Sequence, residues 1–257
     1  MNSMKLFVLL ITLIALEPTR VIGYGPIESD VFDNTTGTPD TRFRREIGED
    51  YTGITLLQAS DFIFKTFKQT HGGGKSYTSI DATVTSFKIS GLGGYPFQVA
   101  ITTGNLILLN ADYVQVYFGD VKAEFTGILY HESTRVWQWT ANGAAPIGLV
   151  TGIADYIRLT SGWPSKNWVP RGSGSRWDEG YAVTAYFLEY CNGLRDGFIA
   201  DLNAMMRYYY SDAFFVQLLG KSVYDLWDDY KLQYGGNPPV PAVALAPAPA
   251  PAPASKC

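Results

Sequence analysis

One stretch near the middle of the chain constrains the fold most, because apolar residues surround several ionisable side chains within it. The stretch FTGILYHESTRVWQW, residues 125–139, has apolar residues at positions 128, 129, 136, 137 and 139. This spacing predicts a helix that is buried on most of its faces. His131, Glu132 and Arg135 lie within it, and buried ionisable groups need partners. The fold must therefore bring other polar groups against this helix.

The order of these ionisable residues is close to a metal-binding pattern. HESTR, residues 131–135, differs by one residue from H-E-x-x-H, in which two histidines one helical turn apart bind zinc. Helical geometry places His131 and Arg135 on one face, with Glu132 beside them. In the complete pattern the glutamate activates a zinc-bound water. A His-Glu pair is also common by chance, so a hydrogen-bonded helix histidine is the alternative.

Both ends of the chain are predicted to lie outside the folded domain. Lys5, followed by the apolar-rich run Leu6–Leu16, predicts a secretory signal peptide over residues 1–23, cleaved before Tyr24. The run is about half of the roughly 20 residues that span a bilayer, so no membrane anchor is expected. Residues 237–257 are almost all Pro, Ala and Val, which favours an extended, disordered tail.

The remaining chain is predicted to be an exposed N-terminal segment, residues 24–42, and one domain, residues 43–236. The sequon at Asn34 predicts a glycan in the exposed segment. The formal net charge of −4 offers no basic surface for nucleic acid. The chemistry is therefore expected within the domain.

The two halves of the domain have different periodicities. Helical spacing predicts a helix over residues 54–70, whereas residues 82–90 and 97–118 are rich in Val, Ile, Thr and Tyr and predict strands. The second half predicts helices over residues 177–191, 198–210 and 222–235. The last begins with a Ser222–Asp225 capping-box pattern. We therefore expect an α+β fold with a mixed-sheet N-terminal lobe and a helical C-terminal lobe, joined near HESTR.

The glycine-rich stretch HGGGKS, residues 71–76, resembles a phosphate-binding loop. Gln69 stands where that loop requires its first glycine, so the pattern favours a turn between a helix and a strand. The two cysteines leave alternatives open. Cys191 and Cys257 either pair or remain separate thiols.

Tryptophans are concentrated in the same region as HESTR. Such rings either form platforms for sugars or fill a core, where each buries about 150–250 Å². Apolar neighbours at helical spacing favour the core. The residues are Trp137, Trp139, Trp163, Trp168 and Trp177.

Four segments together resemble the plant basic secretory protein family. They are residues 125–139, PIGLVTGIADYIRLTSGWPS (146–165), RWDEGYAVTAYFLEYC (176–191) and FFVQLLGKSVYDLWDDYKLQYG (214–235). Members of this family are secreted, defence-related proteins that are classed with zinc metallopeptidases of the gluzincin type. The resemblance implies a zincin-like fold and secretion to the apoplast or cell wall.

The resemblance also implies a zinc site. The family's H-E-x-x-H supplies two ligands, and the glutamate of a following E-G-x-A-D-Y motif supplies the third. In this sequence the resemblance makes His131 a remnant ligand and Glu132 the general base, while Asp155 would hold a ligand histidine by a hydrogen bond. Arg135 and Thr151 stand where the second histidine and the glutamate would be.

Because two of the three zinc ligands are missing, we predict that zinc binds very weakly or not at all. Threonine is a poor ligand, and a guanidinium stays protonated. We hypothesise that Arg135 takes the electrostatic place of zinc and pairs with Glu132 and Asp155; alternatively, Arg135 points to solvent. Three functions follow. They are a secreted family member that binds a peptide or protein in the cleft between the lobes without hydrolysing it, an active zinc peptidase with an atypical site, and a cell-wall glycan-binding protein.

Overall fold

A computed structural model of the protein describes residues 19–22, 27–35, 41–70, 74–87 and 98–235, with the backbone alone for residues 19–22. The strands are β1 (Thr19–Ile22), β2 (Glu28–Asp33), β3 (Asp81–Thr85), β4 (Ala100–Thr103) and β5 (Leu106–Asn110). The helices are α1 (Arg42–Glu46), α2 (Glu49–Thr66), α3 (Ala111–Val116), α4 (Val121–Trp137), α5 (Ile147–Thr160), α6 (Tyr181–Leu194), α7 (Phe198–Met205), α8 (Ala213–Leu219) and α9 (Val223–Tyr234). The α+β fold with a mixed sheet is confirmed.

The five strands form one sheet in the order β1-β2-β3-β5-β4. The inner strands β2, β3 and β5 are parallel, while β1 and β4 pair antiparallel at the two edges. Alternation along β3 buries Ala82 and Val84, which pair in register with Ile107 and Leu109 of β5. Side chains of alternate residues point to opposite faces of a strand, so these residues give the sheet a continuous apolar face.

Helix α4 lies at the centre of the molecule. It packs against α2 on one side and α5 on the other, and its C-terminal half contacts β4. Leu129 and Trp137 are completely buried within it. The Asp120 side chain accepts a hydrogen bond from the backbone N–H of Ala123 and caps its first turn. The predicted burial of this helix is confirmed.

Most predicted elements are present with shifted bounds, but one prediction is wrong. Residues 111–116 form α3, although their Val and Tyr content predicts a strand. The reason is local, because the Asn110 side chain accepts a hydrogen bond from Asp112 N at 3.0 Å and begins a helix there. The predicted cap of α9 is confirmed, since Ser222 accepts from Asp225 N at 3.1 Å.

The N-terminal part of the chain is more ordered than its sequence indicates. Strand β2 lies inside the segment predicted to be exposed, residues 24–42, and its Val31 is completely buried between neighbouring elements. Strand β1 lies inside the predicted signal peptide, and residues 1–18 and 23 lie outside the described residues. The predicted tail, residues 237–257, also lies outside them. In the part of the chain that is described, no helix is long and apolar enough to cross a bilayer.

Candidate functional site

Close packing of three helices builds the site around HESTR. Helix α5 carries Gly148 and Gly152 on the face that meets the segment before α6 and the first turn of α6. A Cβ atom on Gly152 would lie 2.5 Å from Thr184 Cβ, so only glycine permits this approach. The result is that α5 and α6 lie close together, while α5 also packs against α4.

His131 on α4 faces Asp155 on α5. The His131 Nδ1 atom is 2.6 Å from Asp155 Oδ1, and both residues are buried, with 8% and 2% of their surfaces exposed. The resemblance implied this contact. A hydrogen bond at Nδ1 fixes the orientation of the imidazole ring and leaves Nε2 as its free nitrogen.

Tyr181, the first residue of α6, covers the other side of the imidazole. Its ring stacks on His131 with centroids 6.1 Å apart and an interplanar angle of 17°. Tyr181 has a positive φ of 45°, which is strained for a tyrosine, and its surface is 62% exposed. The sequence analysis does not identify Tyr181 as a site residue. The available signal was its position in RWDEGYAV, within one of the four segments that resemble the family.

Glu132 is attached to the sheet. The hydroxyl of Thr102 on the edge strand β4 donates a hydrogen bond to the Glu132 carboxylate, and it also lies 3.4 Å from the Glu132 carbonyl oxygen. The carboxylate therefore sits between α4 and β4, where little of it reaches solvent. Sequence reasoning missed Thr102, because nothing in a strand sequence identifies the helix residue that it contacts.

Of the two ion pairs hypothesised for Arg135, the structure contains the one with Glu132. Its Nε atom lies 3.7 Å from Glu132 Oε2, which is a loose ion pair, and 28% of its side chain is exposed. Among the described residues it forms no ion pair with Asp155, so that part of the hypothesis is wrong. Asp155 pairs instead with His131, one helical turn before Arg135, through Oδ1.

Thr151 is turned back onto its own helix. Its hydroxyl donates to the carbonyl oxygens of Ile147 and Gly148, at 3.1 and 3.2 Å. The hydroxyl hydrogen is therefore used within the helix, and a neutral hydroxyl is in any case not among the usual ligands of zinc. The residue is also tightly packed, because a Cβ on Gly180 would lie 2.8 Å from Thr151 Oγ1.

These residues do not fit a zinc ion. A catalytic zinc site needs three protein ligands and a water molecule. His131 Nε2 and the Glu132 carboxylate are the donors that remain here, and a guanidinium lies within ion-pair distance of that carboxylate. Across the described residues, no group of three or more His, Cys, Asp and Glu side chains is arranged to hold a metal.

The other candidate residues divide between core and surface. Trp137 and Trp177 are buried, as the core interpretation predicts, whereas Trp163 is 37% exposed and Trp139 and Trp168 are half-buried. Asn34 is exposed, and its glycosylation stays a prediction.

The cysteines are only partly described. Cys191 is a free, completely buried thiol whose pKa is raised by burial, so it is unreactive. Cys257 lies outside the described residues, as does His71 of the glycine-rich stretch.

Comparison with known proteins gives two findings. A family model described as "Peptidase of plants and bacteria" (BSP) matches residues 26–230, which include every residue of the site. A "Basic secretory protease" from Boswellia serrata is 43% identical over 61 residues, which make up 24% of this chain and 70% of that protein.

Proposed function

This chain belongs to the family of peptidases of plants and bacteria, and we propose that it is a secreted member that binds peptides without hydrolysing them. A zincin-like arrangement and a defence-related role in the apoplast belong to the same proposal. The name of the Boswellia serrata relative supports secretion. The observation that carries the proposal is that Arg135 and Thr151 stand at two positions where the family resemblance implies zinc ligands, beside a His131–Asp155 hydrogen bond.

Loss of hydrolysis follows from the chemistry of the remaining groups. Peptide hydrolysis by Glu132 as general base requires an activated water and stabilisation of the developing oxyanion. Without the second and third ligands, zinc is not held to supply either. Arg135 partly neutralises Glu132 instead, and the buried Asp155 keeps its hydrogen bond to His131. Each of the two carboxylates therefore has a polar partner among this chain's own residues.

Peptide binding is supported by the edge of the sheet. Strand β4 pairs with β5 on one side, and no other strand of the described chain pairs with its second side. An extended peptide can add to such an edge through backbone hydrogen bonds. Thr102 of β4 contacts Glu132, so a peptide at this edge would lie beside the site. The exposed Tyr181 ring offers an aromatic contact for its side chains.

An active peptidase with an atypical site is the second candidate. It is favoured by the retention of His131, Glu132 and Asp155 in a buried, hydrogen-bonded arrangement. This candidate requires a zinc ligand other than the residues at positions 135 and 151, so bound zinc separates the two functions.

The test is the zinc content of three proteins after dialysis against a trace of zinc. We expect no stoichiometric zinc in the wild type or in Arg135→His, because Thr151 still withholds a ligand. We expect about one zinc per chain in Arg135→His/Thr151→Glu, where the three ligands of a catalytic site are complete. Elemental analysis and peptide hydrolysis are measured on the same samples.

Stoichiometric zinc in the wild type, or hydrolysis by Arg135→His alone, would contradict the proposal and favour the atypical peptidase. Binding is measured separately, with a fluorescent peptide library and the wild-type protein. The matched variant is Thr102→Pro, which removes the hydroxyl and a backbone donor of the edge strand. Equal peptide binding by this variant would overturn the assignment of the β4 edge.

A further inference from the structure

An open cavity of about 420 Å³ lies between the C-terminal ends of α6 and α9. Helix α6 supplies Tyr190, Gly193 and Leu194 to its walls, and α9 supplies Gln233 and Tyr234. Leu194 is 53% exposed, and nothing lies within 4 Å of a Cβ placed on Gly193. The α6 side of the cavity therefore has room for a ligand.

Tyrosine rings form a row across the two helices. The ring centroid of Tyr230 lies 5.7 Å from that of Tyr190 and 5.2 Å from that of Tyr234. Tyr230 is completely buried and supports the row from the core, whereas Tyr190 and Tyr234 are half-buried and line the cavity. The cavity thus has aromatic surface on both helices.

The walls offer hydrogen-bond donors and no net charge. The Tyr190 hydroxyl makes no hydrogen bond within the described part of the chain. The Tyr234 hydroxyl accepts from Gln233 Nε2 at 3.1 Å, which leaves its own hydrogen free to donate. Arg171 and Glu189, which also line the cavity, form an ion pair with each other. The cavity therefore suits a neutral ligand that accepts hydrogen bonds.

The end of α9 is fixed beside this cavity. The Gly172 N–H donates to the Tyr230 hydroxyl at 2.8 Å, and Lys231 Nζ donates to the Gly174 carbonyl oxygen at 2.9 Å. A Cβ on Gly172 would lie 2.3 Å from the Tyr234 carbonyl oxygen, so the turn before α6 packs directly on the last residues of α9. The described chain ends at Gly235. The residues that follow therefore start next to a cavity wall.

The sequence after Gly235 contains one P-x-x-P pattern. In GNPPVPAV, residues 236–243, Pro238 and Pro241 are three residues apart. A polyproline II helix has about three residues per turn, so these two prolines lie on one edge of it. Grooves lined by aromatic side chains bind P-x-x-P segments in this conformation. The prolines of residues 246–254 are spaced two apart and do not repeat the pattern.

We propose that the cavity between α6 and α9 binds residues 238–241 of the same chain. Tyr190 and Tyr234 contact the two prolines, and the Tyr190 hydroxyl donates to a backbone carbonyl oxygen. The segment is uncharged, and its prolines have no N–H, so it matches a neutral cavity rich in donors. Tethering gives the segment an effective concentration in the millimolar range, so a weak contact suffices. This contact uses no residue of the His131 site and is independent of the function proposed above.

The first test follows the backbone amide resonances of Gly193 and Leu194 in NMR spectra of the full chain. These residues are far in sequence from the prolines, so only a tertiary contact connects them. We expect both resonances to shift in Pro238→Ala/Pro241→Ala relative to the wild type. Pro247→Ala/Pro249→Ala removes the same number of prolines outside the pattern and should leave them unchanged. The wild-type resonances should not depend on protein concentration, because the contact is intramolecular.

The second test uses a synthetic peptide of residues 236–243 at millimolar concentrations. It should bind saturably to Pro238→Ala/Pro241→Ala and at least about threefold more weakly to the wild type, whose own segment competes. A peptide of residues 246–254 should bind at least about tenfold more weakly, because it lacks the pattern.

A tyrosine variant assigns the cavity. Adding Tyr190→Phe to Pro238→Ala/Pro241→Ala should weaken the 236–243 peptide by about three- to tenfold, since one hydrogen bond is lost. Adding Tyr209→Phe instead, at a 60% exposed tyrosine outside this cavity, makes the same change elsewhere and should have no effect.

Four results would overturn the proposal. The first is identical Gly193 and Leu194 resonances in the wild type and Pro238→Ala/Pro241→Ala. The second is equal peptide binding by these two proteins, which would leave the cavity to a separate proline-rich partner. The third is a concentration dependence of the wild-type resonances, which would assign the cavity to the tail of a second copy. The fourth is equally tight binding of the 246–254 peptide, which would exclude recognition of the P-x-x-P pattern.

Discussion

Two arginines of neighbouring helices show how burial decides the value of an ion pair. Arg135 is 28% exposed and lies 3.7 Å from Glu132, so its pairing contributes little. Arg158 on α5 lies 2.9 Å from Glu124 on α4, and each of these side chains is only 8% exposed. A buried charge left without its partner is far more costly than an exposed one.

We therefore predict that Arg158→Met lowers the free energy of unfolding by about 3–5 kcal/mol, because Glu124 is left buried and unpaired. The measurement is urea unfolding followed by circular dichroism. The double variant Arg158→Met/Glu124→Gln should recover part of the loss, since it removes the unpaired charge.

A matched control is Arg195→Met, which breaks the exposed pair between Arg195 and Asp201. Its cost should stay within about 1 kcal/mol. If Arg158→Met lowered the free energy of unfolding by no more than this control does, burial would not increase the contribution of the Arg158–Glu124 pair to stability.

The site residues differ in how far the amino-acid sequence predicts their contacts. The His131–Asp155 contact follows from a family motif with fixed spacing on two helices. Tyr181 and Thr102 could not be predicted in this way, because their roles depend on which residue of a different element they meet. The partner of Asp155 could not be predicted for the same reason. His131 and Arg135 lie on one face of α4, and only the tertiary structure shows which of them contacts Asp155.

At the scale of elements, glycines set the distance between α5 and α6. Gly152 faces Thr184 with no room for a methyl group, whereas nothing lies within 4 Å of a Cβ on Gly193 in α6. Both residues are helical and differ mainly in this surrounding space. They make a matched pair for substitution by alanine.

We predict that Gly152→Ala lowers the free energy of unfolding by about 1–3 kcal/mol, because overpacking outweighs the gain in helix propensity. Gly193→Ala should instead raise it by about 0.5–1 kcal/mol. Thermal and urea unfolding of both variants check the two signs. A stabilising Gly152→Ala would show that the helices can separate without cost.

Two helices depend on local caps and one strand depends on tertiary contacts, and only one of these three elements is predicted correctly. Helix α9 begins at Ser222 because its cap is local and visible in the sequence. The sequence of helix α3 predicts a strand because Val and Tyr are typical of strands, while a single asparagine cap changes the outcome. Strand β2 was missed because four of its six residues are Glu, Ser or Asp, and its place within the sheet depends on β3.

At the scale of the whole molecule, tyrosine burial determines the response to alkaline pH. The chain contains 17 tyrosines. Burial raises the pKa of Tyr156 to about 12, and it also raises the pKa of Tyr130 and of Tyr230 above the usual 10. A group whose pKa is raised on folding contributes stability that is complete below its unfolded pKa and is lost as the pH rises.

We therefore predict that the free energy of unfolding falls steeply between about pH 10 and about pH 12, because tyrosines ionise in the unfolded chain first. Tyrosinate absorbance should rise together with the loss of circular dichroism. Tyr156→Phe should reduce the slope of the free energy of unfolding against pH by about the contribution of one bound proton. Ionisation of all tyrosines before any unfolding would contradict the prediction.

The edge of the sheet depends on where the mature chain begins. Strand β1 pairs antiparallel with β2, yet it lies before the predicted cleavage site at Tyr24. N-terminal sequencing of the secreted protein would show whether β1 is removed. Its removal would turn β2 from an interior strand into an edge strand, with unpaired amide and carbonyl groups along one side. The sheet of such a shortened chain would end at β2 instead of β1, and β2 would be the strand that meets solvent or a partner.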